Sequence, residues 1–593
     1  MNRHRAILIF LTVIWFALIA GLGEAGVLLV RRFVFNHFTW SSAHAVWMAP
    51  VANVAFLLIP GLLLSAVAAA RPGWIPLPVV AAVMALFTSA ALLLVSTNGA
   101  MATWAIGPLA LGVSIQVARR LITSEEGFVR LVRRTTPALA ACVALLAVAM
   151  PGWMALRERT AIDRLEAGPG PNVLLIILDT VRAASMSLYG YERPTTPNLD
   201  RWAAGGTVFE EALAPAPWTL PSHGTMFTGH WPHELSARWQ IPLDDSYPTL
   251  AEVLRGEGYV TAGFVANHYY TTRESGLSRG FLHYDDLPIT AVQVLRSSLL
   301  GQVVEGMAFH GRYEYDPERT THRRTATEIR RAFLEWFPRA EGKPWFVFLN
   351  FFDAHKPYWT HEPFASRLTS SSQDVDLYDQ SILYLDHEIG LLLRELKRRG
   401  ELENTLVIVT SDHGEQFGQH GMFGHGNGLY RRVLRVPLVV GLPGRVPGGE
   451  RVTQAVSLRD LAPTIFELAG IADSTIPGVS LTATWGNGGS YPDTVFSEME
   501  EKLDRPRAPA SKGPMQSLMA GGKHYIRRGD GKEQLFDLSN DPLEYIDLAD
   551  SAWSASELVR FRRALLKFHP DLAPVLAPVD GNRATAPNRQ TRQ

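Results

Sequence analysis

Hydrophobic positions fall into two regimes along this 593-residue chain, and the change comes near residue 156. Upstream, apolar residues run almost unbroken in five stretches of spanning length, roughly Ala6–Val30, Val46–Ala70, Ile75–Ser96, Met101–Val117 and Thr136–Leu156. Downstream, the apolar runs are short. Val173–Leu178, after a linker holding Gly168-Pro169-Gly170-Pro171, reads as a fully buried strand and ends on Asp179. Leu406–Thr410 is a second such strand and ends on Ser411-Asp412-His413-Gly414. Trp345–Asn350 is a third and leads into Phe351-Phe352-Asp353-Ala354-His355-Lys356-Pro357. Amphipathic helices around Thr327–Phe337 and Ser381–Arg398 separate these runs, so the pattern predicts an α/β sheet covered on both faces. In such sheets the chemistry sits beyond the carboxyl ends of the strands, where all three runs place acids or histidines.

The apolar half predicts a bundle of retained helices. Its first stretch follows Arg3 and Arg5 but is too long for a signal peptide and lacks a cleavage site. With the N-terminus inside, the inner segments hold Arg3, Arg5, Arg71, Arg119, Arg120, Arg130, Arg133 and Arg134. The outer ones hold Arg31, Arg32, Arg157, Arg159 and Arg164, so the inside carries eight arginines to five. An odd number of spans then puts the catalytic half outside the cytoplasm. Glu24, the only acid within a span, lies near its end, where a snorkelling carboxylate is expected.

Composition changes this picture little. A formal charge of −1 argues against nucleic acid as a partner. The single cysteine, Cys142, lies in an apolar run and excludes both a disulfide framework and a cysteine metal site. An exported domain without disulfides is ordinary for a bacterial surface protein. The expected organisation is a transmembrane domain over 1–160, a catalytic domain over 171–475, a small C-terminal α+β subdomain over 476–575 and a disordered tail over 576–593. Within the subdomain, Lys523–Arg528 and Gln534–Leu538 flank Gly529-Asp530-Gly531 and predict a hairpin.

Four segments carry a resemblance: Pro171–Arg182 with Tyr191–Asp200, Ala216–Gly229, Ser411–Pro437, and Gln534–Glu544. In this order they resemble the sulfatase family of the alkaline-phosphatase superfamily. The resemblance implies a large sheet flanked by helices and a small C-terminal sheet. It also implies metal ligands at Asp179, Asp412 and His413, and a nucleophile at Thr219, which opens Thr219-Leu220-Pro221-Ser222-His223. Here threonine stands where sulfatases carry the cysteine or serine that becomes formylglycine, so that modification is ruled out. His223 replaces an arginine, and Thr180 replaces the second acid of an Asp-Asp pair. A metal-bound threonine after five spans resembles instead the lipoteichoic acid synthases and phosphoethanolamine transferases of the same superfamily.

A hydroxyl holds its proton tightly, and a divalent cation lowers that pKa while fixing the oxygen in line with a substrate. Two carboxylates, an imidazole and an alkoxide suit zinc or manganese; calcium, which prefers oxygen alone, is the lesser fit. The plainer reading of Asp412-His413 is a strand-end turn in which the acid caps the next segment. For Thr219 the rival is Ser222, and either residue suits a helix N-cap. His355 and Lys356 are placed to grip anionic oxygens, and His355 is a catalytic candidate. His425 falls where sulfatases bind substrate with lysine, and it suits protonation of a leaving oxygen or a second metal. His223 is a substrate-binding candidate, Asn267-His268 a weak match to a substrate-contact motif, and His420 a loop residue. The expected partner is an anionic ester, lipid- or glycan-linked, at a bacterial inner membrane. Its cleavage as a sulfate or related ester competes with transfer of a phosphoethanolamine- or glycerophosphate-type group.

Overall fold

A computed structural model describes residues 2–71, 73–97, 101–239, 241–309, 323–340, 342–359, 362–364, 372–472, 475–485, 490–502, 506–551 and 554–576. The expected tail lies outside these residues from 577 onward. Each apolar stretch is a helix: α1 (Asn2–Phe33), α2 (Ala45–Ala70), α3 (Leu77–Thr97), α4 (Thr103–Thr123) and α5 (Glu125–Arg164). All five are long and apolar enough to cross a membrane. Helix α5 overruns its apolar stretch at both ends, and Glu125 and Glu126 in its first turn suit the positive end of the helix dipole.

Glu24 does not snorkel. It is buried and accepts hydrogen bonds from Asn53 Nδ2 at 3.2 Å and from the Leu299 N–H at 2.9 Å. Donors inside the protein, one of them from the catalytic half, replace the interfacial water that snorkelling requires.

The catalytic half is built on a nine-stranded mixed sheet. Its strands are β1 (Asn172–Leu178), β2 (Thr207–Leu213), β3 (Val260–Val265), β4 (His283–Asp285), β5 (Trp345–Phe351) and β6 (Thr405–Thr410). A two-residue pair, β7 (Gln416–Phe417) and β8 (Phe423–Gly424), stands apart. The sheet continues with β9 (Arg435–Val436), β10 (Leu438–Gly441) and β11 (Glu450–Ser457), in the order β11-β2-β10-β6-β1-β5-β3-β4, with β9 beside β2. Strand β1 lies at the centre, parallel to both β5 and β6.

Burial explains why these central strands are apolar at every position. Val173, Leu175 and Ile177 enter one core cluster with Phe346 and Phe348, while Leu174, Ile176 and Leu178 enter the other with Val347 and Leu349. Successive side chains point to opposite faces, and helices cover both. On one face lie α6 (Pro197–Ala203), α11 (Ala326–Trp336) and α12 (Gln373–Arg398); α7 (Thr219–Thr228) and α8 (Leu250–Gly256) lie on the other. Between β4 and α11 stand α9 (Ala291–Arg296) and α10 (Leu299–Phe309).

Helix α12 begins at Gln373, two turns before its apolar period. Asp374 and Asp376 in its first turn stabilise an N-terminus that hydrophobic spacing alone does not mark. The hairpin forms as expected within an antiparallel sheet of β12 (Thr494–Met499), β13 (Met515–Ala520), β14 (Lys523–Arg527) and β15 (Glu533–Asp537). Glu544, at the end of the fourth resembling segment, joins this sheet to the catalytic core. It accepts from the Arg431 N–H at 2.7 Å and pairs with His524.

Because β1 is filled on both faces, Ile176→Ala leaves a cavity that neither helix layer can close. We expect a loss of about 2–5 kcal/mol, read as a lower midpoint of chemical unfolding.

Candidate active site

The parallel alignment of β1 with β6 sets Asp179 and Asp412 side by side beyond the strand ends. Metal-ligating atoms of Asp179, Asp412 and His413 all lie within 4.8 Å of one another, and all three residues are buried. Asp179 Oδ2 accepts from Asn267 Nδ2 at 2.9 Å and from Asn350 Nδ2 at 3.4 Å. Asp412 Oδ1 accepts from the N–H groups of Thr180 at 3.2 Å and His413 at 3.0 Å. The other two oxygens, Asp179 Oδ1 and Asp412 Oδ2, are buried and receive no hydrogen bond among the described residues.

Burial and the neighbouring Asp412 hold the Asp179 carboxyl well above its ordinary range, and burial pushes Asp412 up to about 7. His413 Nδ1 lies 3.0 Å from the Gly414 carbonyl and is the protonated nitrogen, which leaves a lone pair on Nε2. That Nε2 faces Asp412 Oδ2 at 3.4 Å. Two orphaned anionic oxygens and one imidazole lone pair on a common centre are a donor set for a divalent cation.

Thr219 opens α7, and its Oγ1 lies 3.4 Å from His413 Nε2. Its rival Ser222 turns away, donating to the Asp412 carbonyl at 2.7 Å. Thr180, at φ +64°, holds a left-handed conformation costly for a β-branched residue, and this turns its N–H toward Asp412.

The remaining candidates divide. His425 arrives at the centre, its ring 4.4 Å from that of His413 and 5.1 Å from those of His355 and Trp218. Its Nδ1 lies 3.3 Å from Glu415 Oε1, an acid that burial pushes up to about 7. His355 is buried beside it, with Nδ1 2.6 Å from the Lys356 carbonyl. Burial and the adjacent His425 hold its pKa well below the usual imidazole range. A neutral ring with Nδ1 protonated offers a lone pair on Nε2. His223 is fully buried behind Thr219, its Nδ1 donating to the Thr219 carbonyl at 2.8 Å, and burial lowers its pKa to about 4. Lys356 is turned outward, its Nζ 3.8 Å from Asp374. His420 stacks on Tyr430 at 3.8 Å, which fits its reading as a loop residue. Arg182 donates to Ser185 Oγ and the Glu415 carbonyl and lies over Phe417.

Sequence reasoning missed three residues here. Asn350 had a detectable signal, since it is the one polar residue in the apolar run of β5. Glu415 also had one, being the acid three positions after Asp412. Lys502 had none. It reaches in from the loop after β12, its Nζ 4.0 Å from the ring of Trp239 and 4.3 Å from that of Trp218, and its charge lowers the pKa of His413.

The sulfatase family model matches residues 171–471, half of the chain. The chain belongs to the sulfatase family. It is similar to arylsulfatase A of Bos taurus, 27% identical over 477 residues that cover 70% of this chain and 91% of that one. Its identity to choline-sulfatase of Rhizobium meliloti is 25% over 443 residues, covering 64% and 83% respectively. Among solved structures, the phosphonate monoester hydrolase of Agrobacterium radiobacter has the same fold, with a TM-score of 0.55 at 22% identity over 68% of this chain and 96% of that one. This sulfatase-family chain therefore belongs among ester hydrolases of the alkaline-phosphatase superfamily, a family whose members typically bind a divalent metal.

Asp353, two residues before His355, gives the site a pH signature. Burial raises its carboxyl from 3.8 to about 7. An acid raised in the folded state binds its proton more tightly folded than unfolded, so stability falls as pH climbs from about 4 to about 7. Above pH 7 the whole penalty is present. Asp353→Asn should melt close to the parent at pH 4 and increasingly above it toward pH 7, as read by thermal unfolding across that range.

Proposed function

We propose that this protein is a membrane-anchored, metal-dependent ester hydrolase in which Thr219 attacks the sulfur or phosphorus of an anionic ester. The observation that carries the reading is the pair of buried oxygens, Asp179 Oδ1 and Asp412 Oδ2, which have no donor among the described residues and cluster with His413 Nε2, itself 3.4 Å from the Thr219 hydroxyl. With His413 Nε2 they would hold the cation, which supplies Lewis-acid charge that lowers the proton affinity of the hydroxyl. Asn267 and Asn350 orient one carboxylate, and the Thr180 and His413 amides orient the other. A hydroxyl at the first position of α7 also meets the positive end of a helix dipole, which favours a nearby anion.

In the first step the Thr219 hydroxyl gives up its proton to water, its Oγ bonds to the central atom of the ester, and the bond to the leaving oxygen breaks. His425, held at Nδ1 by Glu415, presents Nε2 to protonate that oxygen. Lys502 offsets the charge of the transferred group. Threonine cannot form the aldehyde hydrate of formylglycine chemistry. A second nucleophile must therefore displace Thr219 at sulfur or phosphorus, with water giving hydrolysis and an acceptor hydroxyl giving group transfer. The transferase alternative stays attached to this one mechanism.

An aromatic path supports a membrane-linked substrate. Phe38, in the loop between α1 and α2, packs edge-on against Tyr270 at 6.2 Å, and Tyr270 against Trp218 at 5.3 Å. Trp218 immediately precedes Thr219, so the loop joining two of the proposed spans lies two aromatic contacts from the nucleophile. Outward orientation of the catalytic half at a bacterial inner membrane belongs to the same proposal.

The full chain, purified in detergent, is the material for the test. Turnover of an aryl sulfate, a phosphate monoester and a phosphodiester should show one preferred class. Thr219→Ala should lower it about 1,000-fold or more, while chelation should abolish it and zinc or manganese restore it. Turnover unchanged by Thr219→Ala rejects the nucleophile, and turnover unchanged by exhaustive chelation rejects the metal.

A further inference from the structure

Helices α9 and α10 belong by sequence to the catalytic half, between β4 and α11, yet they pack on the apolar bundle. Val294 of α9 joins a cluster with Leu18, Trp47, Met48 and Val143. Gly301 of α10 approaches Phe56 so closely that an added Cβ would lie 3.2 Å from that ring and 1.8 Å from the Leu295 carbonyl. The Glu24 carboxylate takes the Leu299 N–H, the opening residue of α10, at 2.9 Å.

These partners are deep. Glu24 lies seven residues inside Arg31 on α1, about 10 Å along the axis at helical rise. Phe56 lies eleven residues inside the start of α2, about 16 Å by the same measure. Both distances fall within the outer half, or close to the centre, of a hydrocarbon core about 30 Å thick.

Charge within the hairpin is arranged for such a place. Its Arg296 and Glu305 pair with each other at 2.9 Å, so α9 and α10 bring in no net charge. Gln302 Nε2 is turned back to the Arg296 carbonyl at 3.3 Å. Meanwhile Ile289, Val292, Leu295, Val303, Val304 and Met307 are exposed. An exposed apolar row continuous with the flank of a membrane bundle faces the same solvent as that bundle.

We infer that residues 289–307 form a re-entrant helical hairpin immersed in the outer leaflet, with lipid acyl chains as the partner of its exposed face. The inference rests on the reading of α1–α5 as membrane spans, and one experiment separates the two. The hairpin enters beside its α1 and α2 partners and leaves on the same side, so it adds no span and leaves the orientation of the catalytic half unchanged. It gives the catalytic half a second hold on the membrane besides the covalent link through α5. Two independent attachments restrict tilt, and so fix the height of the site above the headgroups.

The test uses the full chain in phosphatidylcholine nanodiscs, with Cys142→Ala as background and nitroxide labels at Val304→Cys and Met307→Cys. Val83→Cys on the exposed face of α3 is the reference for a span, and Glu403→Cys is the reference for water. Power saturation compares collisions with oxygen and with a water-soluble nickel chelate. We expect the depth parameter at 304 and 307 to share the sign found at 83 and to oppose that at 403. Nickel-accessible labels at 304 and 307, with 83 still lipid-shielded, overturn the hairpin and leave the spans standing. Labels at 304 and 307 shielded from both reagents overturn lipid as the partner. A nickel-accessible label at 83 overturns the spans and the hairpin together.

Discussion

Asp179 and Asp412 stand at the ends of neighbouring parallel strands, buried, with one oxygen of each lacking a donor. Two anions in a dry interior repel, and each also loses the hydration that water would give it. Most of the architecture around them reads as a response to that problem. Amides from Thr180 and His413 and side chains from Asn267 and Asn350 satisfy one oxygen of each acid and fix both carboxylate planes. The other oxygens converge where a cation, in the proposed chemistry, would remove the repulsion altogether. Thr180 accepts an unfavourable φ to serve this arrangement, and the family's second acid would have added a third negative charge at that position.

The same economy of carboxylates governs how the two halves of the chain meet. Glu24 receives an amide of α10, while Glu158 on α5 binds His283 at 2.8 Å, Trp336 Nε1 at 3.0 Å and Arg339 at 2.9 Å. Glu274 takes the N–H groups of Thr39 and Trp40, each at 2.7 Å, and that of Ser41 at 3.2 Å. These three acids are far apart in sequence and each binds across the boundary. Their donors are directional, so together they define an orientation that apolar contact alone would leave free to slide.

Legibility in the sequence follows the range of the physics. Strands β1, β5 and β6 were readable because burial on both faces imposes an apolar run, and Asp179, Asp412 and His413 were readable because they end such runs. The five helices were readable for the same local reason. Lys356 follows His355 in sequence, yet a cation next to a site residue need not point the same way, and its Nζ lies 3.8 Å from Asp374. Lys502 and Glu24 were out of reach because their roles depend on partners brought together only by the fold: Trp218 and Trp239 for the lysine, Leu299 for the acid. The α9–α10 pair was hidden by its own charges, since Arg296 and Glu305 read as solvent exposure until the structure sets them against each other.

Threonine at the nucleophile position has a consequence for the space beside it. In the proposed mechanism a covalent Thr219 adduct persists until a second nucleophile arrives, and what reaches it first depends on what the adjoining volume admits. A cavity of about 690 Å³ opens next to Trp218, walled by Trp239, Ile241, Met499, Pro514 and Lys502. Its walls are largely apolar, with Lys502 over the faces of Trp218 and Trp239. Arg238, Glu498, Glu500 and Glu501 also line it, so the volume offers an organic group both apolar surface and polar contacts. In the proposed mechanism, the group that fills this cavity while the adduct lasts decides between hydrolysis and transfer. Because the proposed chemistry of Thr219 is common to both outcomes, in that mechanism the choice between them belongs to the walls of the cavity.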